Sequence, residues 1–346
     1  MKICSSEAIT VAGSGLSASK ERGIPLKVED IKNVTVAGGG TQGSQIASQI
    51  AYKGFAVTVW VRSEASVERA HVRFATIKEQ YLSTLEAMKT DASAYCRGLA
   101  DTPDLSAEEI DALIAQAEER LSAIKFETDW DAAFGNTDLV VECINENPQE
   151  KTEFYTKLAG HLPERTVILT DSSTMLPSMF AEATGRPDKY MSLHFGNQIW
   201  RNNMTELMRH DGTDPEVFEL AAQFAEAMGM VPLKLNREQP GYILNSLLIP
   251  WFKAATSLVA TGVCDAETVD KCWELATGAD PGQTPFRKLD KIGLVLARNI
   301  LSMDPAAKDP ASGLAKSVTM LNGYIDEGKT GIAAGEGFYK YESYDK

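Results

Sequence analysis

Val34-Thr35-Val36-Ala37-Gly38-Gly39-Gly40-Thr41-Gln42-Gly43 is the stretch whose reading decides the fold. A short apolar strand runs directly into a glycine-rich turn, and an amphipathic pattern follows it. In the Gly-x-Gly-x-x-Gly spacing, Gly38 permits the tight turn and Gly40 lets a pyrophosphate approach the backbone. Gly43 lets the helix lie close to the strand, and the helix N-terminus attracts the anion. A second apolar strand from Ala56 to Val61 completes a β-α-β unit. The stretch therefore predicts a dinucleotide site formed by Gly38, Gly40, Thr41, Gln42 and Gly43.

Further short apolar runs, Asp138 to Ile144, Thr166 to Thr170 and Tyr190 to Phe195, alternate with helical patterns. This rhythm predicts a parallel sheet covered on both faces. Between Glu64 and Leu121 it is interrupted by a helical hairpin, whose second helix is announced by a Ser106-x-x-Glu109 capping box. After Met208 the texture turns helical: Asp214 caps, Pro215 follows, and Val217, Leu220, Ala221, Phe224 and Met228 form one apolar stripe. The expected fold is α/β, a Rossmann-type mainly parallel sheet with an inserted helical hairpin and a mostly α-helical C-terminal domain. The expected boundaries are an extension over 1–30, a dinucleotide domain over 31–208 and a helical domain over 209–346.

A chain of 346 residues is long enough for two cores. Its most apolar helical stretch, Tyr242 to Ala255, is interrupted by Asn245, Pro250 and Lys253, so no membrane span is expected. The first twenty residues lack the long apolar core of a signal peptide. A formal net charge of −14 opposes binding to nucleic-acid phosphates and favours small-molecule chemistry. Five scattered cysteines without a CxxC pair suggest neither a disulfide framework nor a zinc site, and a reducing cytoplasm is the expected compartment. Cys143, after an apolar run, reads as a buried strand residue.

The second strand should end in Asp or Glu to hold the ribose 2′-hydroxyl of NAD(H), yet Val61 stands there, followed by Arg62 and Ser63. Without the carboxylate a 2′-phosphate is not repelled, and a guanidinium beside a hydroxyl can bind it. NADP(H) is expected over NAD(H). Arg62 stacked on adenine or turned to solvent is the competing reading.

Three segments place polar residues just beyond apolar strands: Glu142 with Glu146-Asn147, Asp171 to Thr174, and His194. Ligands of open parallel sheets bind at such strand ends. A histidine there can take a hydroxyl proton while hydride leaves the carbinol carbon, and it needs a carboxylate to orient it.

From about Lys32 to Tyr341 the chain resembles the 3-hydroxyacyl-CoA dehydrogenase family. TDLVVECINEN, Ser172-Ser173, LHFxN, an acidic residue twelve positions after the histidine, PGYILNSLLIP and GEGFYKY occur in the family's order. The resemblance implies His194 as catalytic base, Glu206 as its orienting partner, and Ser173 and Asn245 holding the substrate oxygen. It places Glu142, Glu146 and Asn147 on the nicotinamide side, and implies a homodimer formed through the helical domain. Arg69 and Arg73, four apart on one helical face, are expected to meet CoA phosphates, because the hairpin sits where the family lays CoA across the cleft; a solvated charged face is the competing reading. The chain departs from the family at Phe195-Gly196-Asn197-Gln198, where Phe-Phe-Asn-Pro is usual. It departs again at Asp171-Ser172-Ser173-Thr174 for Asn-Thr-Ser-Ser, and at Ser246 for Arg. Asn197 is counted as a substrate contact, and Gly196 removes a bulky wall from the acyl pocket. A 3-hydroxyacyl-CoA is thus the expected substrate. A free 3-hydroxy acid, as used by carnitine and gulonate dehydrogenases of the same superfamily, is the alternative. An idle nucleotide-binding protein is a third reading, against which the presence of both His194 and Glu206 argues.

Overall fold

The computed structural model of the chain describes residues 26–341. The expected extension lies outside these residues as far as residue 25, and Val28–Asp30 form one 3-10 turn. The chain divides into two units, the first ending at Arg237 and the second starting at Glu238.

The first unit runs β1 (Asn33–Ala37), α1 (Thr41–Tyr52), β2 (Ala56–Trp60), α2 (Glu64–Met88), α3 (Ala107–Ser122), β3 (Lys125–Glu127) and α4 (Trp130–Phe134). It continues through β4 (Leu139–Glu142), α5 (Pro148–Leu158), β5 (Val167–Thr170), β6 (Tyr190–Phe195), β7 (Met204–Met208), α6 (Pro215–Ala227) and β8 (Val231–Leu235). These strands form one sheet in the order β3-β2-β1-β4-β5-β6-β7-β8, parallel except where β6 meets β7. Strand alternation divides the core between the two faces. Val34, Val36, Val59, Leu139, Val141, Leu169 and Leu193 pack with α1, α2, α3 and α6 on one side. Trp60, Val140, Ile168 and Tyr190 face the other way, with Phe134, Phe154 and Tyr155.

The helical pair expected between Glu64 and Leu121 is α2 and α3, and both bonds of the Ser106–Glu109 capping box are present. The domain division, however, falls after Arg237 and not after Met208. The first helix past Met208, α6, still belongs to the first unit. β8 then returns to the sheet and pairs in parallel with β7, from Met204 against Val231 to Met208 against Leu235. As an edge strand it tolerates Pro232, and its half-exposed residues give no clear apolar alternation.

The second unit holds α7 (Leu244–Ala260), α8 (Ala266–Thr277), α9 (Pro285–Ile292), α10 (Leu294–Ser302) and α11 (Gly313–Asp326). They enclose a core of Phe252, Phe286, Leu289, Leu294, Leu301 and Leu321. The GEGFYKY segment is fastened by two buried carboxylates. Asp290 accepts from the amides of Phe338 and Tyr339 and from the Tyr341 hydroxyl, and Asp270 accepts from the Tyr339 hydroxyl. A Cβ at position 337 would lie 2.1 Å from Asp290 Oδ1, so only glycine fits there. Among the described residues, no helix is long and apolar enough to cross a membrane.

Candidate active site

The glycine turn closes the end of β1 as its spacing predicts. Gly38 has φ +122°, and a Cβ there would lie 2.5 Å from the Cys143 carbonyl oxygen. A Cβ at Gly43 would lie 2.1 Å from the Gly38 carbonyl oxygen, so α1 must start tight against the turn. Gly40, the N-cap of α1, has nothing within 4 Å of such a Cβ, which leaves its backbone open to a phosphate. These residues fit a dinucleotide. Thr41 begins α1. The Gln42 amide donates to the carbonyls of Phe195 and Gly196, so this side chain ties the glycine turn to the segment after β6.

A cleft of about 430 Å³ opens beside the turn. Gly38 to Gly40 and Cys143 to Asn145 line one part of it, and Trp60, Trp130 and Phe154 form an aromatic wall. Burial pushes the Cys143 thiol well above its usual range, which keeps it protonated and unreactive. Arg62 lines the cleft and pairs with Glu150 at 3.4 Å, both side chains largely exposed. Ser63 is the N-cap of α2, and its hydroxyl lies 3.1 Å from that of Ser66. Arg69 and Arg73, expected to serve CoA, open onto this same cleft. The cause is α2 itself: Ala70 lies against Gly39, which turns that helical face to the glycine turn.

On the other side of the strand ends, His194 and Glu206 are direct cross-strand partners on antiparallel β6 and β7. This pairing accounts for the twelve-residue spacing, since the chain leaves β6, turns and comes back opposite itself. His194 Nδ1 lies 3.0 Å from Glu206 Oε2, and Nε2 lies 3.1 Å from Ser173 Oγ. His194 is 6% exposed and Glu206 0%, so the pair is shielded from water. Glu146 fixes the serines, accepting from the Ser172 hydroxyl at 2.9 Å and the Ser173 amide at 2.8 Å.

Glu142 is placed differently from its expected role. It is fully buried, ion-paired to Lys151 at 2.6 Å, and accepts from the Tyr155 and Thr170 hydroxyls and the Ile144 amide. Its carboxylate has no exposed surface to offer a cofactor and instead supports the loop after β4. Asn147 caps α5 by accepting from the amides of Gln149 and Glu150. Asn197 is exposed, and its carbonyl accepts from the Asn202 amide. Asn245 belongs to the second unit, half-buried in the first turn of α7.

Two family models match the chain. The NAD binding domain of 3-hydroxyacyl-CoA dehydrogenase covers residues 33–239, and its C-terminal domain covers 241–341. The chain belongs to the 3-hydroxyacyl-CoA dehydrogenase family. This dehydrogenase is 30% identical over 331 residues to hydroxyacyl-coenzyme A dehydrogenase, mitochondrial, of Homo sapiens, covering 94% of this chain and 96% of that one. The rat protein of the same name is 30% identical over 312 residues, covering 90% and 92%. Among solved structures, a diketoreductase described by its substrate-directed dual catalysis of dicarbonyl compounds is 39% identical. It has a TM-score of 0.77 and covers 90% of this chain and 99% of its own. As a family member, this dehydrogenase uses a nicotinamide cofactor.

Sequence reasoning about this dehydrogenase missed Ser66, which shares a helical face with Arg69 and Arg73, and the aromatic wall of Trp60, Trp130 and Phe154. The first was signalled by i, i+3, i+7 spacing. The wall is assembled from three separate elements, so no local pattern announces it.

Proposed function

We propose that the chain interconverts a 3-hydroxyacyl and a 3-oxoacyl group, carried as a CoA thioester, against NADP(H). The observation that carries this is His194 held between Glu206 and Ser173 at a strand end, at 3.0 and 3.1 Å. The nicotinamide, when bound, accepts or supplies the hydride. With Nδ1–H donating to Glu206, the Nε2 lone pair takes the substrate hydroxyl proton in oxidation, and the imidazolium returns it in reduction. The buried Glu206 carboxylate orients the ring and balances the positive charge, and the Ser173 hydroxyl holds the substrate oxygen beside Nε2. Glu146 keeps Ser173 in place. Val61 at the end of β2, where an acidic ribose ligand is usual, supports NADP(H). We take the protein to act as a homodimer in a reducing compartment, the cytoplasm.

A second reading, a substrate without CoA, is favoured by one feature. A Cβ at Gly196 would meet nothing within 4 Å, so the segment after His194 leaves room there. The similarity to a diketoreductase points the same way.

Initial rates with acetoacetyl-CoA and with free acetoacetate at equal concentration test both. The thioester is expected to turn over faster, and faster turnover of the free acid would give the second reading. His194→Gln and Glu206→Gln should each lower kcat by about 10² to 10⁴. The double variant should be little worse than the worse single one, and multiplied losses would rule out a coupled pair.

A further inference from the structure

We propose that Ser66 and Arg69 on α2, backed by Arg73, hold the 2′-phosphate of the cofactor, and that Arg62 is the lesser determinant. The inference rests on the NADP(H) reading and assigns that specificity to residues outside the usual strand-end position.

Positions 66, 69, 70 and 73 are spaced i, i+3, i+4 and i+7 and share one face of α2. Ala70 fixes where that face points. It is fully buried, and its Cβ would lie 3.0 Å from a Cβ placed on Gly39, whose other near neighbour is Val61 at 3.1 Å. The face therefore meets the glycine turn and the end of β2 at once, where an adenosine ribose lies in a β-α-β dinucleotide site. Around Ala70, Arg69 donates to the Ser66 hydroxyl at 2.8 Å and Arg73 reaches the Gly39 carbonyl at 3.5 Å. All three polar residues line the cleft.

The cations differ in what they already hold. Arg62 is paired with Glu150, which partly cancels its charge toward an incoming anion. Among the described residues, neither Arg69 nor Arg73 forms an ion pair, so a phosphate gains their charge undiminished. A planar guanidinium with a hydroxyl beside it matches a tetrahedral phosphate through parallel charge-assisted bonds.

Titration calorimetry with 2′,5′-ADP, 3′,5′-ADP and 5′-AMP tests this without turnover. Wild type should bind 2′,5′-ADP at least about tenfold more tightly than 5′-AMP, as one charge-assisted bond allows. Arg69→Ala should bring that ratio close to one. Ser66→Ala should reduce it by a smaller factor, and Arg62→Ala least of the three. Unchanged melting temperatures would confirm that each variant is folded. If Arg62→Ala lowered the ratio as much as Arg69→Ala or more, the assignment to α2 would fall while the NADP(H) reading stood. If wild type did not discriminate 2′,5′-ADP from 5′-AMP, both would fall. Tighter binding of 3′,5′-ADP, lost in Arg69→Ala, would return the arginines to the CoA phosphates.

Discussion

Asp171 stands at the end of β5 where the family usually carries asparagine, and it is only 8% exposed. Its Oδ1 accepts from the Phe195 amide at 3.0 Å, fastening β5 to the residue after His194. Burial pushes this carboxyl well above the usual aspartate range. The Phe195 amide opposes that shift, while Glu142 and Glu146 add to it. The folded protein thus keeps a proton that the unfolded chain loses, so Asp171 contributes stability at low pH that is lost as pH rises through the raised value. Asp171→Asn keeps an acceptor oxygen for Phe195 and cannot ionise. Its melting temperature should gain on wild type as pH is raised from 4 to 8, and parallel curves would show that Asp171 does not titrate in this way. Asp171→Ala leaves the Phe195 amide without that acceptor and should cost about 1 to 3 kcal/mol. At this scale the sequence was informative where chemistry demands one residue type. His194, Glu206 and Ser173 were grouped by the family resemblance, and the structure brings the three side chains together, the twelve-residue spacing arising from the register of β6 against β7. Glu142 was read as a cofactor contact because nothing local reveals that Lys151, Tyr155 and Thr170 enclose it.

The segment after β6 is held at both ends by other elements. Gln42 of α1 holds its start, and Trp200 farther along accepts a bond from the Gly98 amide, in the connection between α2 and α3, at 3.0 Å. Gln49 of α1 in turn donates to the Gly98 carbonyl at 2.9 Å. A Cβ at Gly98 would lie 2.6 Å from the Trp200 carbonyl oxygen, so Gly98→Ala must push the segment away. Such overpacking costs about 1 to 3 kcal/mol. Because Gly196 and Asn197 ride on the same segment, the variant should raise KM for the carbonyl substrate more than it lowers kcat. An unchanged KM with lowered stability would separate the segment from the substrate. Elements with strong local signals were legible in advance: the glycine turn, the Ser106 capping box and the Asp214-Pro215 helix start. β3 and β8 were not. Both are edge strands, one of three residues and one with a proline, and the sheet itself makes them strands. Missing β8 is what moved the domain boundary to Met208.

In the molecule as a whole, exposed apolar side chains are unevenly shared. Among the described residues, Val72, Met179 and Val231 are the exposed large hydrophobic residues of the first unit, and the other ten lie in the much shorter second one. Leu247, Leu275 and Met303 are 67%, 74% and 77% exposed, on or next to α7, α8 and α10. Apolar side chains exposed to this degree are those that the association of two copies would cover. A formal charge of −14 makes two copies repel one another, so their association must be driven by apolar burial and should resist salt. Light scattering at micromolar concentration should give twice the chain mass, both in dilute buffer and at high salt. Leu247→Glu with Leu275→Glu places buried, unpaired charge in the face and should shift the particle towards the monomer while leaving each chain folded. A monomer in wild type across that concentration range would remove the dimer. A wild-type dimer that dissolved in high salt would mean that charge pairing, and not the exposed leucines, holds it together.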